Sequence, residues 1–358
     1  MTQVYENYWK ITLAYTDIHG KKFRNSLEII LNFIDEHPEG FSFIDEDSEG
    51  KTNYKILASV LQEKYQINIV SARKIINQFV KLGFINCELK TYTYEAKQFL
   101  NAQTDLRRQL LFSRIVYKNS KFNASVTNQS EDQSEPKSIN FLVKTLEKNG
   151  TLSTDDINGL MITDIKNYPK GYLEKNELNE AKSRAKKIGF EDRKYNQLSH
   201  FENIISKLYD IQIEKGVIKF KETTEDQIET KPDNTQRDSY MQKIYKDQLK
   251  EESEIFYKKP KCMVEELAYP TLIASHIKPY IESDEDEEFD PNNGLLLSRN
   301  IDSLFDLNYI SFDNEGKIIL SKKLSEDVKE HINDFCINKK FINEKRQEYL
   351  EYHRENLK

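Results

Sequence analysis

Apolar side chains recur at helical spacing through residues 26–37 (SLEIILNFIDEH), and the serine that leads them has the chemistry of an N-cap. The same period returns in 52–65 (TNYKILASVLQEKY), with Ile56, Leu57, Val60 and Leu61 facing inward. It returns again in 71–82 (SARKIINQFVKL), where Ala72, Ile75, Ile76, Phe79 and Leu82 form the stripe. Gly83 stops this third helix, and residues 84–89 and 91–94 then read as two short strands joined at a turn.

Three helices and a hairpin make the pattern of a winged helix-turn-helix over residues 1–118. The stripe on its third helix leaves Arg73, Lys74, Asn77, Gln78 and Lys81 facing outward, residue types that reach phosphates and base edges from a major groove. The same face also serves solubility alone, and such modules also bind proteins. Residues 119–138 are polar and end in Glu135-Pro136, which reads as a linker.

Helical periodicity resumes at Ile139 and continues through INFLVKTLEKNG, STDDINGLM, ELNEAKSRAKKIGF and HFENIISKLYDIQIEKG into Val217–Phe220. The ending KGVIKF echoes KLGFINC at 81–87, a helix passing through glycine into a strand. Residues 139–222 are therefore expected as a helical module with a second winged-helix character. Lys182, Arg184, Lys186 and Lys187 cluster there, as a solvated face or as phosphate contacts. An acidic, proline-containing stretch marks a linker at 223–235, and a helix over 235–257 follows with Tyr240, Ile244, Leu249 and Phe256 inward.

Beyond it the pattern shortens. Thr271–Ala274 is a brief apolar strand that delivers Ser275-His276 to its end, and Asp290–Gly294 makes a turn. Leu295–Leu297 is a second buried strand, and Asn300–Leu307 a capped helix. The unit 236–358 thus carries a ββα arrangement resting on Ile273, Leu296, Leu304 and Phe305, and the whole chain reads as α+β.

Composition narrows the classes. A chain of 358 residues exceeds the usual single domain, and 11% aromatic residues are too many for general disorder. The formal charge of −7 argues against a uniformly basic nucleic-acid coat, but it is unevenly spread: the run Glu282–Asp290 (ESDEDEEFD) is acidic, whereas residues 68–121 are basic. Three separated cysteines, Cys87, Cys262 and Cys336, build neither a disulfide framework nor a four-cysteine zinc knuckle, which fits a reducing cytoplasm. No apolar run approaches the roughly 18 residues of a membrane span, and the first residues lack a basic stretch followed by an apolar core, so neither export nor a membrane is expected.

The segment Cys262–Ile319 carries the chemistry. Its motifs SHIKP, NGLLL and DSLFD follow in order, with His276, Asn293 and Asp302 separated by 17 and 9 residues. These motifs resemble the HNH nuclease superfamily over about a sixth of the chain. The resemblance implies that His276 is the general base that activates water, a task imidazole meets near neutral pH. It implies that Asn293 ties the inter-strand loop and orients that base, and that Asp302 ligates a single divalent ion, Mg²⁺ or Mn²⁺. Where many members carry a second ligand before the base, this chain has Ser275, a weak ligand; Asp306 is a further candidate. No structural zinc is expected, since Cys262 stands alone near the motifs.

Taken together, the expectation is a metal-dependent endonuclease of double-stranded DNA resembling type II restriction enzymes, with recognition upstream and cleavage downstream. One such site cuts one strand, so a homodimer or sequential nicks would complete a double-strand break, and a cognate DNA methyltransferase is a partner implied by the family. Two alternatives stay open: a modification-dependent or antiphage nuclease, and a DNA-binding regulator whose HNH fold has lost activity.

Overall fold

A computed structural model describes residues 7–38, 52–122, 136–221 and 237–358. The chain forms two compact units, Met1–Glu222 and Thr223–Lys358. Both mix helices with short strands, and among the described residues no helix is long and apolar enough to cross a membrane.

The first unit begins with α1 (Lys21–Glu36), α2 (Asn53–Tyr65) and α3 (Ile69–Leu82). Helix α1 starts five residues before the serine expected to cap it. Ser26 is instead buried inside it, its hydroxyl 2.9 Å from Tyr15 and 3.0 Å from Tyr65. Gly83 takes φ +81° after α3, a left-handed stop that suits glycine, and an added Cβ there would meet Asn119. The two strands expected next are reduced to one bridge, Ile85↔Tyr92. The Asn86 side chain closes the turn by accepting from Lys90 and Thr91, and Tyr94 already opens α4 (Tyr94–Asn101), so the ladder has no room to extend. α5 (Asp105–Asn119) follows. Phe23, Phe79, Phe84 and Phe99 meet edge-on or tilted at 4.7–5.8 Å and make the centre of this core.

The boundary expected at 119–138 does not divide the unit. Residues 123–135 lie outside the described residues, but Ser120, Phe122 and Ser138 on either side are buried and joined: Ser138 N donates to Ser120 O at 3.0 Å and Phe122 N to Ser138 Oγ at 3.0 Å. Near the start of the chain, Trp9 donates from its backbone to Met161 O (2.7 Å) and from its indole to Thr163 O (3.1 Å), which binds the opening segment into the same core. The remainder runs α6 (Ser138–Asn149), β1 (Thr151–Ser153), α7 (Thr154–Met161), α8 (Lys175–Lys187), α9 (Phe190–Ile205), β2 (Ile211–Glu214) and β3 (Val217–Phe220). The strands form one antiparallel sheet in the order β1-β3-β2. Where a helix was expected to run from His200 through Lys215, it ends at Ile205, and Ile211 and Ile213 pair with β3 instead. The linker expected at 223–235 lies outside the described residues.

The second unit opens with α10 (Ser239–Tyr257), capped by Asp238, whose side chain accepts from Met241 N at 3.0 Å. Then come β4 (Ile273–His276), β5 (Gly294–Leu297) and α11 (Arg299–Asp306). β4 and β5 pair antiparallel with His276 opposite Gly294, and α11 packs on β4. Ser298, rather than Asn300, caps α11. Leu296 and Phe305 are buried as expected of a core, whereas Ile273 and Leu304 are half-buried. A second hairpin, β6 (Ile310–Phe312) with β7 (Ile318–Leu320), and two helices, α12 (Glu326–Ile332) and α13 (Glu344–Glu355), complete the unit.

Candidate active site

His276 ends β4, where the strand leaves the sheet and the chain enters the long loop to β5. Its half-buried ring stacks on Tyr245 of α10 with centroids 4.7 Å apart and planes 16° apart, and meets Tyr280 edge-on at 5.9 Å. Its Nε2 lies 2.8 Å from Glu288 O. A carbonyl only accepts, so in the neutral ring Nε2 carries the proton and Nδ1 keeps its lone pair. Burial pushes the imidazole pKa down to about 4, opposed by the Glu288 carbonyl; the Arg237 cation lowers it further and Asp306 raises it. The ring is therefore neutral at pH 7, and its Nδ1 is the nitrogen not engaged by the Glu288 carbonyl.

Asn293 is fully buried. Its Oδ1 accepts from Lys278 N at 2.7 Å, and its amide nitrogen lies 3.2 Å from each of Lys278 O, Ser283 Oγ and Glu287 O. One carboxamide thus ties both ends of the acidic loop, and the loop in turn carries the Glu288 carbonyl that holds His276. In the run Glu282–Asp290 the side chains of Glu282, Asp284, Glu285 and Asp286 are exposed, whereas its end is held by specific contacts. Glu287 pairs with Lys278, Glu288 accepts from Tyr280 OH at 3.1 Å, and Asp290 holds the turn through Asn292.

Tyr245, Arg346 and Tyr349 in this framework were not singled out from the sequence. Tyr245 is fully buried; its hydroxyl donates to Asn293 O at 3.0 Å, with Ser275 O at 3.4 Å. Gly294 leaves room for that hydroxyl, since a Cβ there would sit 2.2 Å from it. On α13, Arg346 donates to Glu252 (2.9 and 3.0 Å) and to Pro291 O (2.8 Å), while Tyr349 OH donates to Asp290 at 3.2 Å, so this helix braces the turn that presents Asn293. The signal for Tyr245 was present: it lies four residues before Leu249, one of the positions expected inward with Tyr240, Ile244 and Phe256, and the buried side of α10 takes in Met241, Tyr245 and Gln248 as well.

The implied metal donors are oxygens. Asp302 is 3% exposed and Asp306 is exposed one helical turn away on the same face of α11. Ser275 is 4% exposed and its buried Oγ has no hydrogen-bond partner. Among the described residues no group of three or more His, Cys, Asp or Glu side chains is placed to hold a metal ion. Carboxylate and hydroxyl oxygens are donors that a hard divalent ion accepts, one that keeps several waters and completes its shell with phosphate oxygens.

The outward face expected on α3 is only half present. Arg73 and Lys74 are exposed, and Asn77 is half-buried, accepting from Tyr54 OH at 2.9 Å. Gln78 and Lys81 are 1% and 2% exposed, a correction to the expected face. The cause is the opening segment, which lies across this side of the helix. Gln78 bonds Ala14 N, Tyr15 N and Tyr15 O at 2.8–2.9 Å, and burial beside the Lys10 charge pushes the Lys81 pKa down to about 8.

Residues 262–313 match the family described as HNH endonuclease. No curated protein matches the chain.

Proposed function

We propose that the second unit hydrolyses DNA phosphodiester bonds, with His276 as general base. The observation that carries this is the ring itself: neutral at pH 7, protonated on Nε2 by its bond to Glu288 O, and with Nδ1 left to accept a proton. It sits within the segment that matches an HNH endonuclease. In the reaction Nδ1 takes a proton from water, the resulting hydroxide oxygen bonds to phosphorus, and the bond to the leaving oxygen breaks. Asn293 keeps the loop, and hence the ring, in place through this step. Asp302 and Asp306, with Ser275 as a weaker donor, would hold the divalent ion, which offsets the charge gathering on phosphate and leaving oxygen.

The first unit is read as the part that finds DNA. Arg73 and Lys74 are the exposed cations of α3, and the order α6-β1-α7-α8-α9-β2-β3 with sheet β1-β3-β2 supports a winged-helix arrangement with one helix added. Recognition joined to cleavage supports a restriction-type endonuclease, acting as a homodimer or by sequential nicks and accompanied by a methyltransferase. Purified protein is expected to convert supercoiled plasmid to nicked or linear DNA with Mg²⁺ or Mn²⁺ and to do nothing in EDTA. Fixed ends on sequencing indicate a defined site, and preference for methylated over unmethylated plasmid indicates a modification-dependent enzyme instead. Intact plasmid under every metal tried would leave a DNA-binding regulator as the surviving alternative.

A further inference from the structure

We propose that Tyr245 is a positioning residue for His276, holding the imidazole by ring stacking while its hydroxyl fastens together the two strand ends from which the site is built. The proposal rests on the nuclease reading for its catalytic consequence and on geometry alone for its structural one. Three independent observations converge on this side chain. The phenol ring lies nearly parallel to the imidazole at 4.7 Å, so it fixes the plane in which the ring can turn. Its hydroxyl donates to Asn293 O at 3.0 Å, with Ser275 O at 3.4 Å, so it bridges the residue before His276 and the residue before Gly294, the last cross-strand pair of the hairpin. Position 294 is a glycine with extended backbone (φ −151°), where conformation demands no glycine but space does: a methyl group would sit 2.2 Å from the Tyr245 hydroxyl and 2.8 Å from Leu249. The sequence of the second strand has therefore made room for this one oxygen.

Asn293 O also accepts from Ile277 N at 3.2 Å, so the hydroxyl reinforces a backbone tie between the strand ends. Among the described residues Tyr245 is the side chain that reaches both carbonyls, and burial raises its pKa, so it stays a donor at every working pH. From Asn293 the constraint passes through the carboxamide to Lys278, Ser283 and Glu287, and from there to the neighbouring Glu288 carbonyl that fixes the Nε2–H form. Removing the hydroxyl while keeping the ring should free the loop and let the imidazole sample both tautomers. Removing the ring should free its orientation as well.

The test compares wild type, Tyr245→Phe, Tyr245→Leu, Gly294→Ala and His276→Ala as full-length proteins. Each is labelled with ¹⁵N-histidine and measured at one pH near neutrality, beside single-turnover and steady-state cleavage. The six histidines keep the spectra simple, and His276→Ala assigns the signal. Wild type should show His276 protonated on Nε2 alone. Tyr245→Phe should average the two ring nitrogens and lower kcat about tenfold to a hundredfold with KM unchanged. Tyr245→Leu should add a change in the ring-proton shifts that stacking produces, and Gly294→Ala should reproduce the Tyr245→Phe signature with Tyr245 intact. A Tyr245→Phe protein with the wild-type tautomer and wild-type kcat overturns the proposal. If that occurs while His276→Ala is inactive, the nuclease reading stands and the positioning role falls. If wild type cleaves nothing but the tautomer responds as described, the positioning role stands and the nuclease reading falls.

Discussion

At position 293 only a carboxamide serves, because the site asks one side chain both to accept from Lys278 N and to donate toward Lys278 O, Ser283 Oγ and Glu287 O. A carboxylate of the same size accepts but cannot donate, which leaves buried carbonyls without partners at about 1–3 kcal/mol. Asn293→Asp is therefore expected to lower the thermal midpoint of the second unit and to cut kcat with little effect on DNA affinity. Calorimetry beside single-turnover cleavage checks both, and an unchanged midpoint would count against the loop-tying role. Protonation gives a second expectation at this scale. His353 is buried between α13 and α11, stacked on Phe305 at 3.9 Å and bonded to Ser311 Oγ and Phe305 O, and burial pushes its pKa down to about 4. His276 shares that depression. A group whose folded pKa lies below its unfolded value of about 6.5 supplies stability that is complete above that value and is lost as pH falls toward the folded one. The midpoint of the second unit should thus drop between about pH 6.5 and pH 4, and His353→Gln should flatten the slope.

Elements differ in how far they could be read. The ββα unit was legible because short apolar runs bounded by Pro, Asn and Gly leave few alternatives, and β4, β5 and α11 lie within two residues of their expected places. The face of α3 was misread at Gln78 and Lys81 because their burial comes from residues about 64 positions earlier, contact that periodicity within a helix does not encode. The hairpin after Gly83 failed for a local reason, since Tyr94 prefers the helix that buries Phe99. Least legible was α13, whose polar sequence hides Arg346, 1% exposed and bound to Glu252, Phe341 O and Pro291 O. Removing this donor leaves the Pro291 and Phe341 carbonyls and the partly exposed Glu252 without it, at about 1–3 kcal/mol. Arg346→Met is accordingly expected to destabilise the second unit by that amount in urea unfolding and to abolish cleavage. A fully stable and active Arg346→Met protein would show that α13 does not brace the Asn293 turn.

For the whole molecule, the division into two units separates the proposed tasks of finding DNA and cutting it. Replacing Arg73 and Lys74 together by alanine should weaken binding and reduce the slope of log affinity against log salt by about 2, near 0.9 for each lost phosphate contact. Cleavage at saturating DNA should be untouched. Gln78→Ala should instead lower the midpoint of the first unit and leave the slope alone, and the opposite pattern would restore Gln78 to the binding face. Recognition and chemistry meet in one comparison: single-turnover cleavage of the same DNA by wild type and His276→Ala, with binding followed by fluorescence anisotropy. The account predicts that the variant binds as wild type does and cleaves about 10²- to 10⁴-fold more slowly, the usual contribution of a general base. Equal rates with equal binding would contradict it.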